Sequence, residues 1–253
     1  MFNALNTYES EYHQGYFGKI PSDKDVVSKG LPASFRRPWH VWLQSMISNS
    51  KKELGNDWES FYLSSPMYRF VLSAGICGKQ TWMGVMIPCV DQVGRYYPMT
   101  ICRSLPDQPN PLVAITENKI WFSTTEALLL SCLDDSFSLA NFDNEVKHLR
   151  LKEEEEDATS VQRIVQQHPK NAWRMTSANA DFSEISPFIT NALLEKFCLS
   201  YSVWWTAGSN VILPSIIISQ GLPPVSNGAS ALLDGKWDQG GWESTQTLFR
   251  FSF

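Results

Sequence analysis

The chain contains no Cys-x-x-Cys pair, no His-x-x-x-His or His-Glu-x-x-His spacing, and no run of Lys and Arg longer than two residues. The first two absences remove the common zinc patterns. The third, with a net charge of −5, removes the electrostatic footprint for a phosphate backbone, so nucleic acid is not expected as a partner. No stretch approaches the roughly 20 apolar residues that cross a bilayer. The first 13 residues lack a basic segment followed by an apolar run. Neither membrane insertion nor a secretory signal is expected. The five cysteines are odd in number, widely spaced and set among apolar neighbours, which favours reduced, buried thiols in a cytoplasmic protein over a disulfide framework. No cofactor is implied.

What is present suits a globular fold: 253 residues, 43% hydrophobic and 19% charged. Ten Trp supply large anchors, most for a core and some for a partner surface. Residues 15–32 concentrate glycine, proline and acids, and read as a structured loop. Residues 34–55 read as a helix with Trp39, Trp42, Leu43, Met46, Ile47 and Leu54 near helical spacing, Pro38 in its first turn and Gly55 as its stop. A shorter helical segment follows over 57–62. Strands are expected over 68–74, 81–87 and 99–105, and connections this short require antiparallel pairing.

Residues 121–133 read as another helix. From 134 to 179 the apolar pattern thins, and Glu153 to Asp157 is the most charged run, either a solvated linker or an acidic docking patch. Ser186 and Pro187 read as a cap and a first-turn proline opening a helix through Phe197. Strands are expected over 201–206, 211–213 and 216–218, then a short helix over 229–233. This order implies an α/β fold: a three-layer sandwich with a mixed, largely antiparallel sheet and helices on both faces. The expected organisation is one domain over 1–253, with a motif-rich part (1–133), a polar, acidic segment (134–180) and a C-terminal part (181–253) completing the same sheet.

Candidate chemistry is sparse. Gly15 to Gly18 has the spacing Gly-x-x-Gly with no Gly-Lys-Ser/Thr after it, and Lys19 precedes Ile20-Pro21, which is wrong for a lysine reaching phosphates from a helix start. A shaped turn is the better reading. Asp91 and Arg95 flank Gly94, where a turn brings carboxylate and guanidinium together. The pair reads as a catalytic or anion-binding site, as a salt bridge fixing the loop, or as a bridge shaping a loop that a partner recognises. Ser22 and Ser65 lie outside any Gly-x-Ser-x-Gly elbow. Cys89 borders the Asp91 loop, where a nearby arginine lowers a thiol pKa and burial makes a thiol inert. Trp204 and Trp205, consecutive in a strand, point to opposite faces, and an exposed member of the pair is an interface anchor.

Several blocks occur in combination: Gly15-Tyr-Phe-Gly-Lys-Ile-Pro-Ser-Asp23, Gly30-Leu-Pro32, Trp42-Leu-Gln44, Leu54-Gly-x-x-Trp58, Tyr62-Leu-x-Ser-Pro66, Arg69-Phe70, Gly84-Val85 and Pro88-x-Val-Asp-x-Val-Gly-Arg-Tyr-x-Pro98. Trp204-Trp205 and Leu232-Leu-Asp-Gly235 follow later. In these blocks the chain resembles the TagF family, also called ImpM, associated with bacterial type VI secretion. Cys89 stands where that pattern usually has Ser, and Gln92 where it usually has Arg. The resemblance implies a cytoplasmic, non-enzymatic accessory protein that represses the secretion apparatus after translation by binding its forkhead-associated (Fha) scaffold protein. Candidate partner-binding residues are Ser22, Asp23, Asp25, Asp91, Arg95 and Trp205. Two other readings stand beside it: a small-molecule or nucleotide-handling enzyme built on the 21–25 and 91–95 loops, and a structural component of the apparatus.

Overall fold

Along β3 (Tyr68–Leu72), β4 (Thr81–Ile87) and β5 (Met99–Leu105) nearly every residue is buried, as a sheet covered on both faces requires. The computed structural model describes residues 12–105, 110–151, 165–168, 172–175, 182–226 and 228–242. Its main sheet has seven strands in the order β2-β1-β5-β4-β3-β8-β9, adding β1 (Gln14–Gly18), β2 (Val27–Lys29), β8 (Tyr201–Thr206) and β9 (Ser215–Gln220). Every pairing in it is antiparallel. A separate two-stranded ribbon joins β6 (Val165–His168) to β7 (Ala172–Met175). The expected α/β sandwich with helices on both faces is what the chain forms.

One face is aromatic. Residues alternate between faces along a strand, so Phe17, Tyr68, Phe70, Leu72, Trp82 and Trp204 share the side that packs on α1 (Ala33–Leu54) and α7 (Ala231–Asp234). From α1, Trp39 lies over Phe70 at 4.7 Å between ring centroids and Trp42 over Trp204 at 5.1 Å. Their indole nitrogens find partners inside: Trp39 donates to Thr100 Oγ1 at 3.2 Å and Trp42 to the Pro223 carbonyl at 2.9 Å. Satisfied N–H groups let large rings be buried without the cost of an unpaired donor. Gly55, with φ 55, ends α1 as expected, while Pro38 lies within the helix and not in its first turn.

The opposite face carries Tyr16, Val71, Met83, Val85, Met99 and Ile101 against α3 (Pro111–Glu117), α4 (Lys119–Ser131) and α5 (Leu139–His148). The α5 helix falls where the sequence pattern thins. Only Phe142 and Val146 of its ten residues are buried, too few for periodicity to register, yet both enter the core. Glu153 to Asp157 lie outside the described residues. α6 (Phe182–Phe197) starts before Ser186, so Pro187 is inside it and does not open it. The strand expected over 211–213 is absent; those residues belong to the connection between β8 and β9.

The largest departure from the sequence reading is residues 15–32, which are not a free-standing loop. Gly15 to Gly18 form most of an inner strand held between β2 and β5. Glycine is required there by close approach: a Cβ on Gly15 would meet the Lys29 carbonyl oxygen at 1.9 Å, and one on Gly18 the Pro98 oxygen at 2.2 Å. Because Phe17 is registered opposite Thr100, the chain leaving β1 and the chain entering β5 emerge at the same end of the sheet. The second short helix, α2 (Trp58–Ser64), packs at that end through Tyr62, whose hydroxyl donates to the Cys89 carbonyl at 3.1 Å and accepts from the Cys89 amide at 3.2 Å.

Candidate functional site

The shared end of β1 and β5 brings two connections into contact, the β1–β2 turn (19–26) and the β4–β5 loop (88–98). In the second, Val90 bridges Tyr96, and Asp91 and Arg95 close a turn in which the Asp91 amide donates to the Arg95 carbonyl at 3.0 Å. Gly94 makes this possible with a φ of 79, a left-handed conformation that costs other residues. The two connections are joined by one backbone and one side-chain bond: the Gln92 amide donates to the Asp23 carbonyl at 3.1 Å, and Arg95 Nη2 donates to the Lys24 carbonyl. Asp23 in turn shapes its own turn, its Oδ1 accepting from the Asp25 amide at 3.0 Å.

Asp91 is the hub. Its side chain has no exposed surface and receives four donors. Oδ1 accepts from the Val93 amide at 3.0 Å and the Arg95 amide at 2.7 Å. Oδ2 accepts from Arg95 Nε at 2.7 Å and from the buried Lys19 ammonium. Desolvation, the largest single influence, pushes this carboxyl's pKa up, but the combined bonds from Lys19, Arg95 and Val93 outweigh it and hold it well below the usual carboxylate range. With its lone pairs taken, the group has no capacity to bind a ligand or accept a catalytic proton. It is a brace.

Lys19 was the unforeseen member. The sequence motif bears on it only as a candidate phosphate lysine, whereas its setting between Gly18 and Ile20 at the end of an inner strand is the cue to a buried cation that needs a carboxylate. What the brace presents to solvent is the crest of both turns: Ser22, Lys24 and Asp25 from one, Gln92, Val93 and Arg95 from the other. Val93 is 60% exposed, an apolar side chain standing at the tip. Among the described residues no cluster of three or more His, Cys, Asp or Glu is placed to hold a metal ion, and no helix is long and apolar enough to cross a membrane.

A family model for the TagF N-terminal domain, described as type VI secretion system-associated, matches residues 15–149, more than half of the chain and the segment holding both turns. The chain belongs to the TagF family. A crystal structure of PA0076 from Pseudomonas aeruginosa PAO1 at 2.05 Å resolution is similar across nearly the whole fold, with a TM-score of 0.74 and 31% identity over 94% of this chain and 99% of that one. No match emerges among curated proteins.

Set in the TagF fold, five of the six candidate residues come together: Ser22, Asp23 and Asp25 on one turn, Asp91 and Arg95 on the other. Trp205 does not join them. It lies on β8, registered opposite Arg69 and Ile216, with its ring edge-on to Phe122 of α4 at 4.8 Å, half-covered by the helix layer. Trp204 takes the aromatic core instead, so the pair splits between faces as consecutive strand residues must. Cys89 is buried, and desolvation pushes its thiol up to about 12, far from a reactive thiolate. Gln92 is exposed on the crest, and its side chain takes no part in the bonds to Asp91.

Proposed function

We propose that the protein is a cytoplasmic, non-enzymatic accessory protein of type VI secretion that represses the apparatus after translation by binding its forkhead-associated scaffold protein. Membership of a secretion-associated family carries this reading. It is supported by the construction of the two-turn tip, whose only buried carboxylate is committed to four donors while its crest offers a preorganised, exposed set of backbone and side-chain groups. Preorganisation lowers the ordering cost of association, which is what a recognition surface gains from a brace. The alternative of an enzyme built on these turns finds no free acid or base in the hub.

The decisive measurement is direct binding between the purified chain and the purified forkhead-associated protein. Binding is expected, weakened about tenfold or more by Val93→Asp with Asp25→Lys, changes on the crest that leave the brace intact. A wild-type chain that does not bind removes the partner, and undiminished binding by the folded double variant removes the tip. Overproduction in the native cell is expected to lower secretion, whereas a structural component in excess leaves it unchanged.

A further inference from the structure

The first turns of α1 place Ala33, Arg36, Arg37 and His40 at the spacing i, i+3, i+4, i+7, one stripe along the helix. This stripe faces Phe17 of β1 and Val26 of the β1–β2 turn across an open cleft of about 390 Å3. The two walls differ in chemistry. Phe17 and Val26 are apolar, while the helix wall carries two guanidinium groups and an imidazole. Arg36 Nε donates to the Leu31 carbonyl at 3.0 Å, which fixes the side chain and leaves its η nitrogens uncommitted by that bond. His40 is fixed as well, its Nδ1 hydrogen-bonded to the Tyr97 hydroxyl at 2.6 Å, so the other ring nitrogen is left for a ligand.

Among the described residues no ion pair answers this charge. The described ion pairs join Lys19 and Arg95 to Asp91, Lys29 and Lys147 to Asp143, and Arg69 to Glu126, and include neither Arg36 nor Arg37. The first turn of α1 holds no acidic residue and no side-chain cap, so the positive end of the helix dipole adds to the same place. Asp23 and Asp25, the acids nearest in the chain to Val26, are not walls of the cleft. In a chain of net charge −5, uncompensated cations gathered around a concavity raise the local concentration of anions.

We propose that this cleft binds an oxyanion-bearing side chain of a protein partner, its carboxylate or phosphate on Arg36 and Arg37 and an adjacent apolar side chain against Phe17 and Val26. The guanidinium fork matches either oxyanion in bidentate fashion. The apolar wall is what a free inorganic ion would leave unused and a peptide would cover. The cleft borders the β1–β2 turn, so an occupant and the two-turn tip belong to one continuous surface. The inference rests on the reading that the protein works by binding a partner, and extends it by naming the partner's chemistry.

The test titrates the full chain with two capped dipeptides, Asp-Leu and phosphoserine-Leu, following the backbone amide NMR signals of Phe17, Val26, Ala33 and His40, cleft residues present in both the wild type and the variant. Saturable shifts with at least one dipeptide are expected, weakened about tenfold or more in Arg36→Gln with Arg37→Gln, the loss of a charge-assisted hydrogen-bond pair. The tighter of the two dipeptides identifies the oxyanion. No saturable shift with either, or equal binding by the folded double variant, overturns the proposal. Binding to phosphatidylserine vesicles with no response to either dipeptide also overturns it, in favour of a lipid headgroup. Dipeptide binding without binding of the forkhead-associated protein supports the cleft and removes only that partner.

Discussion

Asp91 and the Arg36–Arg37 pair both border the β1–β2 connection, yet one charge is fully answered and the others are not. Asp91 has four donors and no exposed side-chain surface, and two of those donors are the cations of buried Lys19 and exposed Arg95. Arg36 and Arg37 stand in no described ion pair and line a cleft. A charge removed from water must be matched by its own fold, and once matched it contributes shape and not chemistry. A charge left at the surface of a concavity keeps its capacity for an outside partner. The acidic hub is therefore read as architecture and the basic cleft as the place where recognition is still unspent.

The largest effect expected from breaking this contrast is at the hub. Asp91→Asn puts an amide N–H₂ where Oδ2 faces the Lys19 ammonium and Arg95 Nε, donor against donor, and leaves a buried cation unpaired. Thermal denaturation is expected to show the greatest loss of stability of the changes considered. The pH dependence gives an independent check. A carboxyl whose pKa is depressed on folding contributes stability that is complete above its unfolded value near about 4 and is lost as pH falls below that toward the folded value. The wild-type chain should lose stability on acidification in that range, and Asp91→Asn should lose correspondingly less. Parallel acid profiles for the two proteins would remove Asp91 from the role of brace.

A middle-sized effect is expected one layer further out. Tyr62→Phe deletes the hydroxyl that serves both the amide and the carbonyl of Cys89; the carbonyl keeps the Tyr97 amide as a donor, and the buried Cys89 amide loses its bond. Chemical denaturation should register a loss of about 1–3 kcal/mol. A smaller loss would mean that the β4–β5 loop is held by the Asp91 turn alone. The smallest effect belongs to the cleft. Arg36→Gln with Arg37→Gln should lower stability by about 1 kcal/mol or less, because the Arg36 bond to the Leu31 carbonyl is lost but no described ion pair is. A large destabilisation would turn the basic stripe into a second structural element and erase the contrast.

Much of the fold was legible in the sequence where the signal is local. The α1 helix follows from the spacing of its tryptophans and its glycine stop, and β4 and β5 from short apolar runs bounded by turn residues. The turn at Asp91 to Arg95 was legible too, because Asp, Gly and Arg within five residues are enough to close it. The α5 helix escaped, since two buried side chains in ten residues leave almost no periodic trace. By helical spacing Arg36 and Arg37 lie off the apolar face of α1, but nothing in the sequence says what stands across from them.

By itself, then, the sequence determined the TagF family, the layered α/β class and the pairing of Asp91 with Arg95, all of which depend on residues near one another in the chain. Tertiary structure alone decided that Gly15 and Gly18 are close-approach glycines in an inner strand, that Lys19 reaches Asp91 across 72 residues, and that the basic stripe of α1 faces Phe17 and Val26 with no acid between. The physical reason is common to all three. Whether a backbone is crowded or a charge is answered depends on what folding brings within a few ångströms, and neighbours in space need not be neighbours in sequence.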